Sequence, residues 1–288
     1  MGRSVLNSIL SFIHESTCVS IMVDETTDIS NKEQLTLVMR RIDHNLDVYE
    51  EFLGMYQIDS ATVESITSTI LDALMHFQIP LTKLRGQCYD GCSTMAGSHN
   101  GVANKVQDME PKAVFTHCYG HALNLAVGDT IKKCVMLRDC LDTCYELVKL
   151  IKWSPKRDTM LKRLKEESCD DAPSIRTLCL TRWTVRAESM KSIVANYTNI
   201  LSLWEEALEC TSETEMKARI QGFSSQMDTF KFYFSLILAE MILRHTDNLS
   251  KSLQNPELAS TQAYEIAMLT VKTLQSIHIE ANFDLFWE

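Results

Sequence analysis

The sequence contains no apolar run near the ~20 residues that a membrane-spanning helix requires, so no membrane span is expected. The opening segment is not expected to be a secretory leader either. The opening residues, MGRSVLNSILSFIHE, pattern as an amphipathic helix, and Leu6 stands where N-myristoylation would need Ser or Thr. There is no phosphate-cradling glycine loop, no nucleophile elbow and no His-Glu-x-x-His pair, which leaves conventional hydrolase and nucleotidase chemistry without support. Basic residues are in deficit, 28 against 38 acidic, for a net charge of −10. Binding to a phosphate backbone draws its affinity from Lys and Arg, so this chain is expected to bind DNA weakly unless its cations are concentrated. No fixed-period repeat or low-complexity segment is visible.

What is present is an ordinary globular composition, 45% hydrophobic and 23% charged over 288 residues, with ample material for a buried core. Ten cysteines are dispersed through periodic segments rather than set in a small loop-rich framework. Reduced thiols in the nucleus or cytoplasm are therefore expected, not a secreted disulfide scaffold. Cations concentrate once, at Lys149, Lys152, Lys156, Arg157, Lys162, Arg163 and Lys165. That span reads either as a nucleic-acid-binding patch or as a solvated helical face.

In chain order, residues 4–15 have helical periodicity, and Cys18 to Val23 (CVSIMV) is an apolar, β-branched run that suits a strand buried on both faces. Gln34 to Ile42 and Tyr49 to Ile58 alternate as two further strands, completing an antiparallel meander. A helix over Thr62 to Phe77, a strand at Leu84 to Tyr89, a helix at about 101–109 and a strand at Ala113 to Thr116 follow. The order β-β-β-α-β-α-β predicts a mixed α/β sheet with helices on its faces and the fourth strand parallel to the first. Beyond His121 only helical periods recur, at about 119–132, 134–152, 156–167, 185–209, 213–221, 224–254 and 260–280. The organisation expected is an N-terminal helix (1–17), a sheet-containing core (18–152) and an all-helical part (153–288).

The chemistry-bearing residues gather at strand ends, where ligands collect in open α/β sheets. Asp24 follows the first strand and Asp90 the fourth. If those strands are parallel neighbours, the two carboxylates come within reach of a common Mg²⁺, the ion that supports phosphodiester cleavage in two-metal sites. The alternative makes both acids turn residues, with Asp90 capping the next helix. Cys88-x-x-x-Cys92 and Cys118-x-x-His121 also supply a Cys₃His set for structural Zn²⁺.

Four motifs in order, VDETTD, YDG-x-STMAG, HCYGHALNLA and TRW, resemble the hAT superfamily of DNA transposases, most of all the domesticated hAT-derived domains of zinc finger MYM-type and related vertebrate proteins. The resemblance runs from about residue 15 to the end. It implies a ribonuclease H-like fold interrupted by a large helical insertion. It also implies that Asp24 and Asp90 match the first two acids of an Asp-Asp-Glu triad, that His121 lies near a scissile phosphate, and that Trp183, beside Arg182, stacks on a displaced base, a use that suits an aromatic. Trp183 reads equally as a core aromatic. The family's third acid lies in a segment resembling Ser/Ala-Glu-Arg-x-Phe-Ser, which also opens a dimerisation region. No such segment occurs here, and Glu265, Glu280 and Glu288 sit in no such motif. The family's N-terminal DNA-binding zinc finger is likewise not found.

The expectation is a catalytically inactive transposase-derived domain that binds nucleic acid or protein, with Lys156, Arg157, Lys162, Arg163, Arg182 and Trp183 as nucleic-acid contacts. A protein partner or a homo-oligomer suits the acidic charge better than DNA does. The alternatives are a fragment of an active Mg²⁺-dependent strand transferase and a zinc-stabilised interaction module.

Overall fold

In a computed structural model that describes residues 2–169, 171–177 and 186–278, the chain forms two compact units. One comprises Met1–Ala122 with Gln254–Leu258, the other Leu123–Leu253 with Ala259–Glu288.

The first unit opens with α1 (Gly2–Glu15) and a meander of β1 (Val19–Thr27), β2 (Glu33–Ile42) and β3 (Val48–Gln57). Both hairpins close in the same way. A strand-end aspartate, Asp28 or Asp43, accepts the backbone N–H groups two and four residues on, while Asn31 or Leu46 takes a positive φ. Helix α2 (Val63–His76) starts at Thr62, whose hydroxyl accepts the Ser65 N–H, and ends where Gln78 turns left-handed two residues before Pro80. A 3₁₀ turn at Leu81–Lys83 leads into β4 (Leu84–Tyr89), followed by α3 (Ser93–Ala96), α4 (Val102–Met109) and β5 (Val114–His117).

The strand order is β3-β2-β1-β4-β5, with β1 antiparallel to β2 and parallel to β4. Mixed pairing and parallel neighbours are as the element order predicts, and the fold class is the α/β one expected. One face of the sheet carries Val19, Ile21, Val23, Leu35, Leu37 and Met39 into a core shared with Ile13 of α1, Ile66 and Ile70 of α2, and Val106 of α4. The expectation that β1 is buried on both faces fails, because Ser20 and Met22 are only half-buried and Asp24 is exposed. Apolar character along a strand records residue type, and only neighbouring elements decide which face is covered.

The second unit contains most of α5 (Tyr119–Lys133), then α6 (Val135–Lys152), α7 (Pro155–Glu167), α8 (Arg186–Ala195), α9 (Tyr197–Cys210), α10 (Thr214–Met227), α11 (Phe230–Leu253) and α12 (Ser260–Ile277). The units part at Ala122/Leu123, thirty residues before the 152/153 division drawn from the sequence. Helix α6 puts Cys144, Leu147, Val148 and Ile151 into the helical core, and Val127 and Ile131 of α5 pack on it. One helical period after another carries no sign of which core each joins.

The single helix expected over 185–209 is instead two, broken at Asn196. That side chain is fully buried and donates to the carbonyls of Pro173 and Ser192 at 2.8 and 2.7 Å, the competition with helical geometry that Asn side chains offer. The helix expected over 213–221 runs on to Met227, and the next starts at Phe230 rather than 224.

Candidate functional site

The first and fourth strands bring Asp24 and Asp90 together by register. Parallel pairing of β1 with β4 ends at Met22 opposite Cys88. Asp24 lies two residues further along β1 and Asp90 two residues past Cys88, just beyond the end of β4, so alternation directs both to the same face. Asp24 is not at the strand terminus: β1 runs on to Thr27 through antiparallel pairs with β2, Asp24 opposite Thr36. Asp90 accepts the Cys92 N–H at 3.1 Å, so it also acts as a turn residue.

The carboxyl of Asp24 is pushed above the ordinary carboxylate range, first by desolvation and then by the negative charge of Asp90, with His121 pulling the other way. Glu25 is raised as well, by desolvation and then by Asp90, Glu33 and Asp24. Its Oε2 is buried without a hydrogen-bond partner. Glu25 was not a sequence candidate: strand alternation sets it opposite Asp24, and only the VDETTD run could have drawn notice to it. His117, which the sequence already places with Cys118 and His121 at the end of the fifth strand, is a second neighbour. Its ring lies 6.2 Å from that of His121, centroid to centroid, and covers Gly91 so closely that a Cβ there would sit 2.2 Å from Nε2. Gly91 thus lets the turn after β4 pass under the His117 ring. Gly101 is needed for a backbone approach, since a Cβ would stand 2.6 Å from the Gly97 nitrogen.

A carboxyl whose folded pKa is raised above its unfolded value adds stability that is complete below the unfolded pKa of 3.8 and is lost as pH rises through the folded one. Asp24 and Glu25 therefore cost stability at neutral pH. Asp90→Asn keeps the acceptor for the Cys92 N–H and removes the charge. Urea denaturation is expected to find this variant more stable than the parent at pH 7, with the difference gone near pH 3. An equal difference at both pH values would remove charge repulsion as its cause.

Among the described residues, no three His, Cys, Asp or Glu side chains converge to hold a metal ion. The donors present therefore do not fit the two-ion arrangement of phosphodiester cleavage, which needs more ligands than one carboxylate pair. The Cys₃His set does not assemble either. Desolvation, and then the Asp90 carboxylate that accepts its thiol, hold Cys92 up at about 11. Cys88 instead donates its thiol hydrogen bond to the Cys118 sulfur. The sulfur of Cys118 receives the Cys88 thiol and the N–H groups of His121 and Gly120, and these lower it to about 6.

The basic span is internally occupied. Lys149 pairs with Glu146, Lys152 and Lys162 share Asp158, and Arg163 bridges Glu167 and Glu206. Arg157, Lys156 and Lys165 donate to the carbonyls of Leu150, Cys210 and Ala172. Arg182 and Trp183 lie outside the described residues. A different tryptophan stands out: Trp153 is 75% exposed, with the Lys149 ammonium 4.9 Å from its ring centroid and 5.0 Å from that of Tyr145.

A five-stranded mixed sheet with Asp24 within β1 and Asp90 just past its parallel neighbour β4 has the arrangement of a ribonuclease H-like fold. Residues 1–101 match the family model described as "ZMYM1/FAM200, RNase-like domain". Over those residues the chain is similar to the RNase-like domains of zinc finger MYM-type proteins, the likeness that its four motifs imply. It is 23% identical over 253 residues to the human "52 kDa repressor of the inhibitor of the protein kinase", a match covering 84% of this chain and 33% of that protein. The mouse protein of the same name is 22% identical over the same shares. The bovine "General transcription factor II-I repeat domain-containing protein 2" is 30% identical over 96 residues, 33% of this chain and 10% of the relative. The chain thus spans about a third of the length of the human and mouse relatives. Among the described residues no helix is long and apolar enough to cross a membrane.

Proposed function

We propose that this chain is a domesticated transposase domain whose acid site is vestigial and whose work is macromolecular association in the nucleus, with a protein partner before nucleic acid. The observation that carries the reading is the Asp24–Asp90 pair without a third convergent ligand among the described residues. Two facing carboxylates with no further ligand repel each other and bind a hard divalent cation poorly. The preference for protein rests on the net charge of −10 and on a basic span whose cations are already held by carboxylates and carbonyls. A nuclear setting is suggested by the transcription-factor and repressor names of the relatives.

The retained register of Asp24 and Asp90 favours one second reading, that a longer protein supplies the third acid and cleaves DNA. Both readings are tested by incubating the full-length protein with supercoiled DNA and Mg²⁺ or Mn²⁺. Nicking no greater than that of the Asp24→Asn/Asp90→Asn double variant is expected. Metal-dependent nicking that either substitution abolishes would establish the second reading instead. Duplex binding should be weak and steeply salt-dependent, and weaker still when Lys156, Arg157, Lys162 and Arg163 are neutralised. Tight binding at physiological salt would overturn the preference for protein.

A further inference from the structure

Beside the acid pair lies a second arrangement that neither the fold nor the proposed function uses. Cys88 is the penultimate residue of β4 and pairs with Thr116 of β5. Cys118 follows β5, and its N–H bonds to the Tyr89 carbonyl at 3.0 Å, which extends the β4–β5 ladder and sets Cys118 diagonal to Cys88 on one face of the sheet. Its carbonyl accepts the Ala122 N–H at 2.9 Å, so Cys118 is also the residue from which α5 springs. In that position its sulfur takes the N–H groups of Gly120 and His121 from the first turn, together with the Cys88 thiol. Three donors on one sulfur, two of them at a helix N-terminus, make the surroundings in which a thiolate is stabilised and reactive. Both cysteines are half-buried, so a small oxidant can reach them.

We propose that Cys118 and Cys88 form a thiol-oxidation site for hydroperoxides, with Cys118 as the attacking sulfur and Cys88 as the resolving one. The Cys118 thiolate attacks one oxygen of hydrogen peroxide, the O–O bond breaks, and Cys118 sulfenic acid and hydroxide result. The Cys88 sulfur then attacks the sulfenic sulfur. An S–S bond forms, the S–O bond breaks, and the hydroxyl leaves as water with the Cys88 proton. Two thiols are oxidised and one peroxide is reduced to two waters. A diagonal pair across a parallel ladder stands further apart at Cα than two residues in register, so bonding draws the start of α5 toward β4. A disulfide formed against that displacement is readily reduced, the property of a reversible modification and not of a structural bond. The first turn of α5 carries His121, so oxidation shifts a residue of the acid site.

The other cysteines supply internal controls. Cys92 keeps its proton through burial and Asp90, Cys140 and Cys144 are buried in the helical core, and Cys169 and Cys210 are exposed with no thiol partner among the described residues. The test is to treat the purified full chain with hydrogen peroxide, alkylate remaining thiols, digest with trypsin and sequence linked peptides by tandem mass spectrometry. The expected product joins the peptide from Gly86 to the peptide from Ala113, with the bond at Cys88 and not Cys92, a mass two hydrogens below the summed peptides, and reversal by dithiothreitol. In Cys88→Ser the link is lost, and dimedone labels Cys118 instead. The inference is overturned if Cys169 or Cys210 oxidises while Cys118 stays alkylated, or if the principal link to Cys118 comes from Cys92. Because the first measurement uses the parent protein, a variant that fails to fold does not spoil the test.

Discussion

Replacing Trp204 by Ala is expected to lower the stability of the helical unit by about 3–5 kcal/mol, the cost of emptying a buried aromatic site. Trp204 of α9 is completely buried. It stacks on Phe223 at 6.4 Å between ring centroids and donates its indole N–H to the Met227 sulfur at 3.3 Å, so one side chain fastens α9 to α10. Trp153→Ala is the matched control. Its ring is largely in solvent, and its loss should change stability by no more than about 0.5 kcal/mol, as surface substitutions do. Urea titrations followed by circular dichroism measure both. A loss below about 1 kcal/mol at Trp204 would contradict its place at the centre of the helical core.

The second large effect depends on pH and belongs to Asp247. This carboxyl is almost fully buried on α11 and accepts the Ala187 N–H at 2.9 Å near the start of α8. Desolvation raises its pKa to about 6, with Glu188 adding to the rise and the Ala187 hydrogen bond, Lys251 and Arg186 opposing it. Because the folded value lies above the unfolded 3.8, the protonated form is favoured by folding. Its contribution to stability is complete below pH 3.8 and disappears as pH rises through about 6. A tenfold change in a protonation constant corresponds to about 1.4 kcal/mol, so the difference between the two pH limits approaches about 3 kcal/mol. Asp247→Asn keeps an oxygen for the Ala187 N–H and carries no charge. It should therefore be more stable than the parent at pH 7 and equal to it near pH 3.5, the shared response of all other acids cancelling in the comparison. A variant less stable at pH 7 would mean that the ionised carboxylate, paired with Lys251 and Arg186, is the form folding prefers.

Much of the sheet-containing unit was legible because its signals are local. Alternation located β2 and β3, helical periodicity up to Pro80 placed α2, and the boundaries of β4 coincide with those read from Leu84 to Tyr89. The juxtaposition of Asp24 and Asp90 followed from topology alone, since parallel neighbours place equivalent positions side by side. Less could be read at Glu25, whose proximity to Asp90 cuts across simple alternation. The same is true of Asn196, whose helix-breaking hydrogen bonds run to Pro173 and Ser192. The seven cations from Lys149 to Lys165 look like a patch in one dimension. Most of their partners are local, but Glu206, which holds Arg163, and Cys210, whose carbonyl takes Lys156, are some forty or more residues away in the chain.

The sequence by itself determined the order and type of the elements, the association of one acid with each of two parallel strands, and the likeness to zinc finger MYM-type domains that four ordered motifs carry. These are matters of local propensity, periodicity and residue identity, and they survive without knowledge of neighbours. Tertiary structure alone decided that one sheet face is covered and the other partly open, that α5 and α6 serve the helical core, and that Cys88 reaches Cys118 rather than a zinc set with Cys92. The reason is physical. Burial, desolvation and thiol or ion pairing depend on distances between residues far apart in the chain, and those distances are set only when strands register and helices pack.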